Sequence, residues 1–142
     1  ANFDRAHVYR AAMEGATFAL RHGYDVWRAA GLRFDAIRLT GGGSHSAAWR
    51  QMVADVFGLP VDVPALAEGA AFGAALQALW ALDHHRGGDV AIAALVREHV
   101  RLAPERSAYP GSDAPALYAR PYQRYQRHLA AAMAAHASAD AG

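Results

Sequence analysis

Residues Ala36 to Phe57, AIRLTGGGSHSAAWRQMVADVF, predict a short strand, a turn of three glycines and an amphipathic helix. Ile37 and Leu39 alternate with polar residues, which is the period-two pattern of a strand. The glycines break this pattern, and we expect Ser44 to be the N-cap of the helix that follows. The apolar residues of that helix recur at the spacing of one helix face: they are Trp49, Met52, Val53, Val56 and Phe57.

The glycine turn has features that suit an anionic ligand. Because it has no side chains, a ligand can approach its backbone closely. It leads into a helix N-terminus, where unpaired N–H groups and the helix dipole favour negative charge. A nucleotide phosphate meets both conditions, but the segment has neither the G-x-G-x-x-G spacing nor the G-K-[ST] ending of better-known nucleotide motifs. Considered alone, the turn is therefore equally compatible with a flexible strand-to-helix connection.

Composition restricts the class of protein and its chemistry. The chain has 142 residues, 54% of them hydrophobic and 19% charged, which predicts one globular unit with a real core. Its net charge of +1 gives no indication of a nucleic-acid or membrane-binding surface. There is no lysine to bind phosphate or form a Schiff base. There is also no cysteine, which excludes disulfides, thiolate metal sites and cysteine nucleophiles.

The sequence also gives expectations about location and completeness. No stretch reaches the roughly 18 apolar residues of a membrane span, and the polar start ANFDRAHVYR does not resemble a signal peptide. We therefore expect a cytoplasmic protein. Because the chain begins with Ala1 rather than methionine, we also expect it to be a piece of a longer protein.

A long helix is predicted before the glycine turn. Asp4 is its expected N-cap and Gly31 its expected C′ residue. Its predicted buried face consists of Val8, Ala11, Ala12, Ala16, Ala19, Leu20, Val26 and Trp27.

Further elements are predicted after the turn. Gly58 should end the second helix, and residues 61–63 should form a second strand, giving a βαβ-like unit with a parallel pair. Helices are predicted at 67–82, 90–100 and from about Ala116 into the 130s, the last with a packing stripe of Leu117, Tyr118, Tyr122, Tyr125 and Leu129. The segment DHHRGGD at 83–89 is expected to be a polar loop. His84 and His85 are interpreted there as solvated residues rather than metal ligands.

At this point the sequence resembles a known family. The stretch LTGGGSHSAAWRQMVADVFGLPV, followed by EGAAFGAALQAL, is similar to the nucleotide-binding part of the FGGY carbohydrate kinases. The opening FDRAHVYRAAMEGATFALRHGYDVW resembles the helix that precedes this motif in the family. The tail, with Tyr109-Pro110 and its later tyrosines, resembles the C-terminal helix of the xylulokinase group within the family.

The resemblance implies a fold and a place in it. The fold would be an α/β, RNase H-like or actin-like ATPase C-terminal subdomain, rich in helix, with a strand–GGG–helix nucleotide-binding turn. Residues 1–142 would be the C-terminal portion of the second domain of an FGGY kinase. The N-terminal sugar-binding domain, with the catalytic base aspartate, would lie outside this chain. Asp35, Asp55 and Asp62 do not match the base motif, so we assign no catalytic residue and no metal ligand here.

The resemblance also implies which residues bind ATP. Gly41 and Gly42 would lie against the ATP backbone and phosphates, and Gly43 and Ser44 would line the same turn. Ser46 occupies a position that is often asparagine in the family, where it contacts the adenosine side. Serine offers only one hydroxyl for that contact.

The implied activity is phosphoryl transfer from ATP, with Mg²⁺, to D-xylulose, giving D-xylulose 5-phosphate. Within the family, the alternative substrates are ribulose, gluconate, fuculose and glycerol. An alternative of a different class is a non-catalytic actin-like half domain that serves assembly. The expected partners are a small-molecule sugar and ATP, without nucleic acid or membrane, and an exposed apolar surface would allow a homodimer. We expect this chain to be inactive by itself.

Overall fold

The computed structural model describes residues 3–66 and 69–139, except for the side chains of residues 138 and 139. Helices dominate these ranges, and the two strands are short. The elements are α1 (Arg5–Ala29), β1 (Ile37–Arg38), α2 (Ala47–Phe57), β2 (Val61–Asp62), α3 (Gly69–His85), α4 (Ile92–His99) and α5 (Ala114–Ala139), with 3-10 turns at Gly42–His45 and Pro104–Arg106. None of the helices in the described part of the chain is long and apolar enough to cross a membrane.

The two strands form a parallel pair around α2, as predicted from the sequence. Ile37 lies opposite Val61, and the N–H of Ile37 donates to the Pro60 carbonyl at 2.8 Å. The chain's tail adds an antiparallel bridge on the other side of β2, between Val61 and Ala108. Since backbone groups alternate in direction along a strand, the N–H and C=O of Arg38 point to the opposite edge of β1, away from β2.

The core is built around α2. Its buried side chains are Met52, Val53, Ala54, Val56 and Phe57, so the predicted face is confirmed except at the half-buried Trp49. Gly58 ends the helix in the left-handed region at φ +67°, and its N–H donates to the Ala54 carbonyl at 2.9 Å. Phe18 of α1 and Tyr118 of α5 complete the same cluster.

The ends of α1 are confirmed, but its predicted buried face is wrong. Asp4 accepts the His7 backbone N–H at 3.0 Å, and Gly31 follows the C-cap with φ +90°. The residues of α1 that are buried are Thr17 and Phe18. Four residues of the predicted face are more than half exposed: Val8, Leu20, Val26 and Trp27. The reason is tertiary, because α5 and the Trp49 side chain cover a different side of the helix from the one its alanine-rich stripe suggests.

Aromatic and charged side chains attach α5 to α1. The Phe18 ring packs against the rings of Tyr118, Tyr122 and Tyr125, with centroid distances of 5.6–6.2 Å. This confirms the predicted tyrosine stripe, although Leu117 at its start is exposed. The Tyr122 hydroxyl donates to Asp25 Oδ2 at 2.7 Å. Burial, together with this hydrogen bond, raises the pKa of the Tyr122 phenol well above its usual value.

The boundaries of α3 and α4 differ from those predicted. The helix predicted from Ala67 is seen from Gly69, and residues 67 and 68 lie outside the described part of the chain. His84 and His85 belong to the last turn of α3 rather than to a loop. Cationic or polar residues are compatible with that position because the helix dipole is negative there. The His84 ring packs against Trp80, with centroids 4.5 Å apart. The helix predicted at 90–100 is confirmed as the shorter Ile92–His99.

Candidate functional site

Ser46, rather than Ser44, is the N-cap of α2. The Ser46 Oγ accepts the Trp49 backbone N–H at 3.2 Å. The sequence places two serines two residues apart, and the 3-10 turn Gly42–His45 takes up the first of them before the helix begins. Ser44 is fully buried within this turn, and its Oγ donates to the Gly41 carbonyl at 2.8 Å. The Ser44 hydroxyl therefore links the last residue of the glycine turn to its first residue, Gly41.

Gly41 and Gly42 present bare backbone to solvent. Gly41 has φ +77° and ψ −172°, a region that is essentially restricted to glycine. Both residues are exposed, and a Cβ built on either would have no atom of the described residues within 4 Å. The open space beside them is where a ligand could approach the backbone N–H groups.

Gly43 has a different role, because it packs against Trp49. A Cβ at Gly43 would lie 1.9 Å from a ring carbon of Trp49, so the indole covers this residue. The Trp49 Nε1 donates to Thr17 Oγ1 at 3.0 Å, and that hydroxyl donates to the Met13 carbonyl at 2.8 Å. Trp49 thus connects the glycine turn to the middle of α1.

Two arginines bind the same carbonyl of the turn. Arg50 Nη1 donates to the Ser44 carbonyl at 2.7 Å, and Arg106 Nη2 donates to it at 3.2 Å. Arg50 lies in the first turn of α2, whereas Arg106 comes from the 3-10 turn in the tail. Sequence reasoning missed both residues. Arg50 could have been suspected because it lies four residues after the Ser46 cap, but no local pattern connects Arg106 to residue 44.

The turn lies at the carboxyl end of β1, next to the start of α3. A Cβ at Gly69, the first residue of α3, would lie 3.3 Å from the Thr40 side chain. Thr40 directly precedes the glycines. The exposed backbone of Gly41 and Gly42 therefore lies close to the N-termini of α2 and α3. Ligands of open α/β sheets bind in crevices outside the carboxyl ends of the strands, and helix N-termini favour anions.

A second concave surface runs along α1 and β1, and Thr40, the residue before the glycines, is part of its lining. It is a groove of about 730 Å³. Its wall is mainly apolar and includes Leu20, Trp27, Phe34, Ile37, Leu39 and Val53. A surface of this kind suits packing against protein rather than binding a phosphate. Arg38, whose backbone forms the free edge of β1, also lines it.

The sequence of the chain matches a known protein family. Residues 1–82 match the model of the C-terminal domain of the FGGY family of carbohydrate kinases. The chain belongs to this family. The resemblance inferred from the glycine motif is therefore confirmed.

Individual relatives of this FGGY chain are similar over almost its whole length. A xylulose kinase of Haemophilus influenzae is 42% identical over 90% of the chain, which covers 25% of that protein. An L-xylulose/3-keto-L-gulonate kinase of Escherichia coli is 36% identical over 94% of the chain, which covers 26% of that protein. The FGGY chain thus spans about a quarter of the length of these curated relatives.

Solved structures give the same result for the fold. A xyloylose kinase from Brucella ovis matches 94% of the chain with a TM-score of 0.77 at 29% identity. A xylulose kinase from Rhodospirillum rubrum matches 92% with a TM-score of 0.75 at 26% identity. The chain covers about a quarter of each. The predicted helix-rich, actin-like C-terminal subdomain is confirmed, whereas nucleotide binding by Gly41–Ser44 and Ser46 stays a prediction.

Proposed function

We propose that residues 1–142 are the ATP-binding C-terminal portion of the second domain of a sugar kinase. The complete enzyme transfers the γ-phosphoryl group of MgATP to D-xylulose, forming D-xylulose 5-phosphate. The observation that carries this proposal is the 42% identity to a xylulose kinase over 90% of the chain. The sugar-binding domain and the base aspartate belong to a part of the protein outside this chain.

The glycine turn is the proposed nucleotide site. Gly41 and Gly42 hold the phosphates through their backbone N–H groups, and a Cβ on either glycine would face space free of the described residues. Ser46, the N-cap of α2, lies on the adenosine side of the bound nucleotide in this proposal. Gly43 and Ser44 line the turn and maintain its shape, Gly43 through Trp49 and Ser44 through its hydrogen bond to Gly41. ATP supplies the phosphoryl group when it is bound.

The remaining carboxylates near α2 and β2 have structural partners. Asp55 Oδ1 accepts the Gln51 side-chain amide and the Gly111 backbone N–H, each at 2.9 Å. Asp62 accepts the Ser107 hydroxyl at 3.2 Å. The described residues contain no group of three or more His, Asp or Glu that could hold a metal ion. We therefore propose that Mg²⁺ arrives with the ATP phosphates, and we assign it no ligand in this chain.

The apolar groove supports the assignment to a larger domain. Its large exposed residues, such as Leu20 and Trp27, border the free edge of β1, where a further strand of the second domain can add to the sheet. In the isolated chain the same surface is open, so we propose that the isolated chain associates as a homodimer. In the complete kinase the further strand would cover this surface, so we expect no dimer of this kind there. A cytoplasmic location is part of this proposal, because ATP is the phosphoryl donor.

A substrate panel tests the proposed function. The complete protein is incubated with MgATP and D-xylulose, L-xylulose, D-ribulose, gluconate, fuculose or glycerol, and ADP formation is followed in a coupled assay. We expect the highest kcat/KM with D-xylulose. A higher value with L-xylulose would place the enzyme with the Escherichia coli relative. Absence of sugar-dependent ADP formation with every substrate would refute the kinase proposal in favour of a non-catalytic half domain.

A further inference from the structure

The Ser44 carbonyl is the point where the tail of the chain reaches the proposed nucleotide turn. Arg106 is 62 residues away from Ser44 in sequence and lies beyond residues 1–82, which match the family model. Its Nη2 donates to the Ser44 carbonyl at 3.2 Å and lies 3.5 Å from His45 Nδ1. The carbonyl of this turn therefore has one donor from the adjacent helix, Arg50, and one from a distant segment.

The tail is fixed on both sides of Arg106. Before it, the Ala103 N–H donates to the Val63 carbonyl at 2.8 Å. After it, Val61 and Ala108 exchange two backbone hydrogen bonds of 2.8 and 2.9 Å. Because these contacts already order residues 103–108, little further entropy is lost when the half-buried Arg106 side chain reaches the turn. The arrangement is preorganised rather than a chance surface contact.

The charges of the two arginines are not compensated by any ion pair among the described residues. Within the described ranges 3–66 and 69–139, the ion pairs involve other residues, and neither Arg50 nor Arg106 takes part in one. Their guanidinium groups satisfy a neutral carbonyl and remain positively charged. A cation next to a site that binds an anion strengthens binding at a distance, and more so at low ionic strength.

We propose that Arg106 is a positioning residue for the nucleotide turn. It holds the Ser44 carbonyl together with Arg50, which fixes the orientation of the peptide groups from Gly41 to Ser44 and adds positive charge beside them. This inference rests on the proposed function, because it concerns how the same turn binds nucleotide. It assigns a role in ATP binding to the tail, which otherwise packs against β2 and α2.

Enzyme kinetics and calorimetry with the complete protein test this inference. We expect Arg106→Ala to raise the KM for ATP and the Kd for ADP about tenfold, because the variant loses a positive charge beside the bound anion and one of the two restraints on the turn. The KM for the sugar and the melting temperature should stay close to wild type. Arg106→Lys, which keeps the charge and a donor, should recover part of the loss.

Arg101→Ala is the matched control, because Arg101 is an exposed arginine of the same tail. It should leave the nucleotide constants unchanged. An unchanged ADP affinity in Arg106→Ala would overturn the inference. So would equal increases in both KM values with a lowered melting temperature, which indicate a purely structural role. ADP binding by calorimetry does not depend on the sugar, so failure of the substrate panel remains distinguishable from failure of this inference.

Discussion

Replacement of Gly42 by valine separates ligand binding from folding at the glycine turn. Gly42 does not have a positive φ, and a Cβ there meets no atom of the described part of the chain within 4 Å. The valine side chain therefore enters open space without strain. Valine can adopt the backbone conformation of Gly42, and it also reduces the conformational freedom of the unfolded chain. We therefore expect the free energy of unfolding to stay within about 1 kcal/mol of wild type.

The same side chain should obstruct the phosphates. It would occupy the space through which a ligand reaches the backbone N–H groups of the turn. Loss of one hydrogen bond between a charged group and the backbone costs about 1.5–3 kcal/mol, which corresponds to a 10- to 100-fold increase in the KM for ATP. The KM for the sugar should be unaffected, since the sugar pocket is proposed to lie outside this chain.

The assay is steady-state kinetics of the complete protein with ATP varied at saturating sugar, together with thermal unfolding. Gly15→Val is the matched control, because Gly15 has equally open space but lies within α1. It should leave both KM values unchanged. If Gly42→Val retained the wild-type KM for ATP, the reasoning that places phosphate at this turn would be refuted.

Three other changes test the packing around the site. Gly43→Ala should lower the free energy of unfolding by about 1–3 kcal/mol in urea denaturation, because its methyl group would overlap the Trp49 ring; wild-type stability would refute the contact. Tyr122→Phe should cost about 1 kcal/mol at pH 7. In the wild type, the pKa of Tyr122 is raised by folding, so the unfolded chain loses the phenol proton at lower pH than the folded chain. The contribution of the Tyr122–Asp25 hydrogen bond to the free energy of unfolding therefore falls as pH rises above about 10. The phenylalanine variant should show a shallower loss of stability there, and an equal slope would contradict the prediction. Asp55→Ala should release the Gly111 N–H and make the chain near residue 111 more sensitive to proteolysis; unchanged digestion would show that this bond does not hold the tail.

The local elements around the site were predictable because they depend on nearby residues. The apolar spacing of α2 and the left-handed Gly58 define that helix almost completely, and the flanking strands follow from short alternating segments. The N-cap was misplaced because Ser44 and Ser46 both suit the role, and only the structure shows the intervening 3-10 turn. Propensity alone does not distinguish a residue that begins a helix from one that closes the turn before it.

Contacts between distant segments were not predictable. The buried side of α1 depends on where α5 and Trp49 pack, and these lie about 30 to 100 residues further along the chain. Three residues of the predicted apolar stripe of α1, Ala19, Leu20 and Trp27, line the open groove instead of the core. The link between Arg106 and Ser44 depends on the register of the tail beside β2, and an irregular segment with several prolines carries no periodic signal. Both failures concern tertiary placement rather than local structure.

The central claim is that the glycine turn binds the nucleotide of a sugar kinase. Hydrogen exchange of the complete protein with and without ADP tests it most directly, since it reports protection of individual backbone segments. We predict that the largest slowing of exchange within this chain occurs in peptides that contain Gly41, Gly42 and Ser46. ADP binding with unchanged exchange at residues 41–46 would contradict the claim and move the nucleotide site elsewhere.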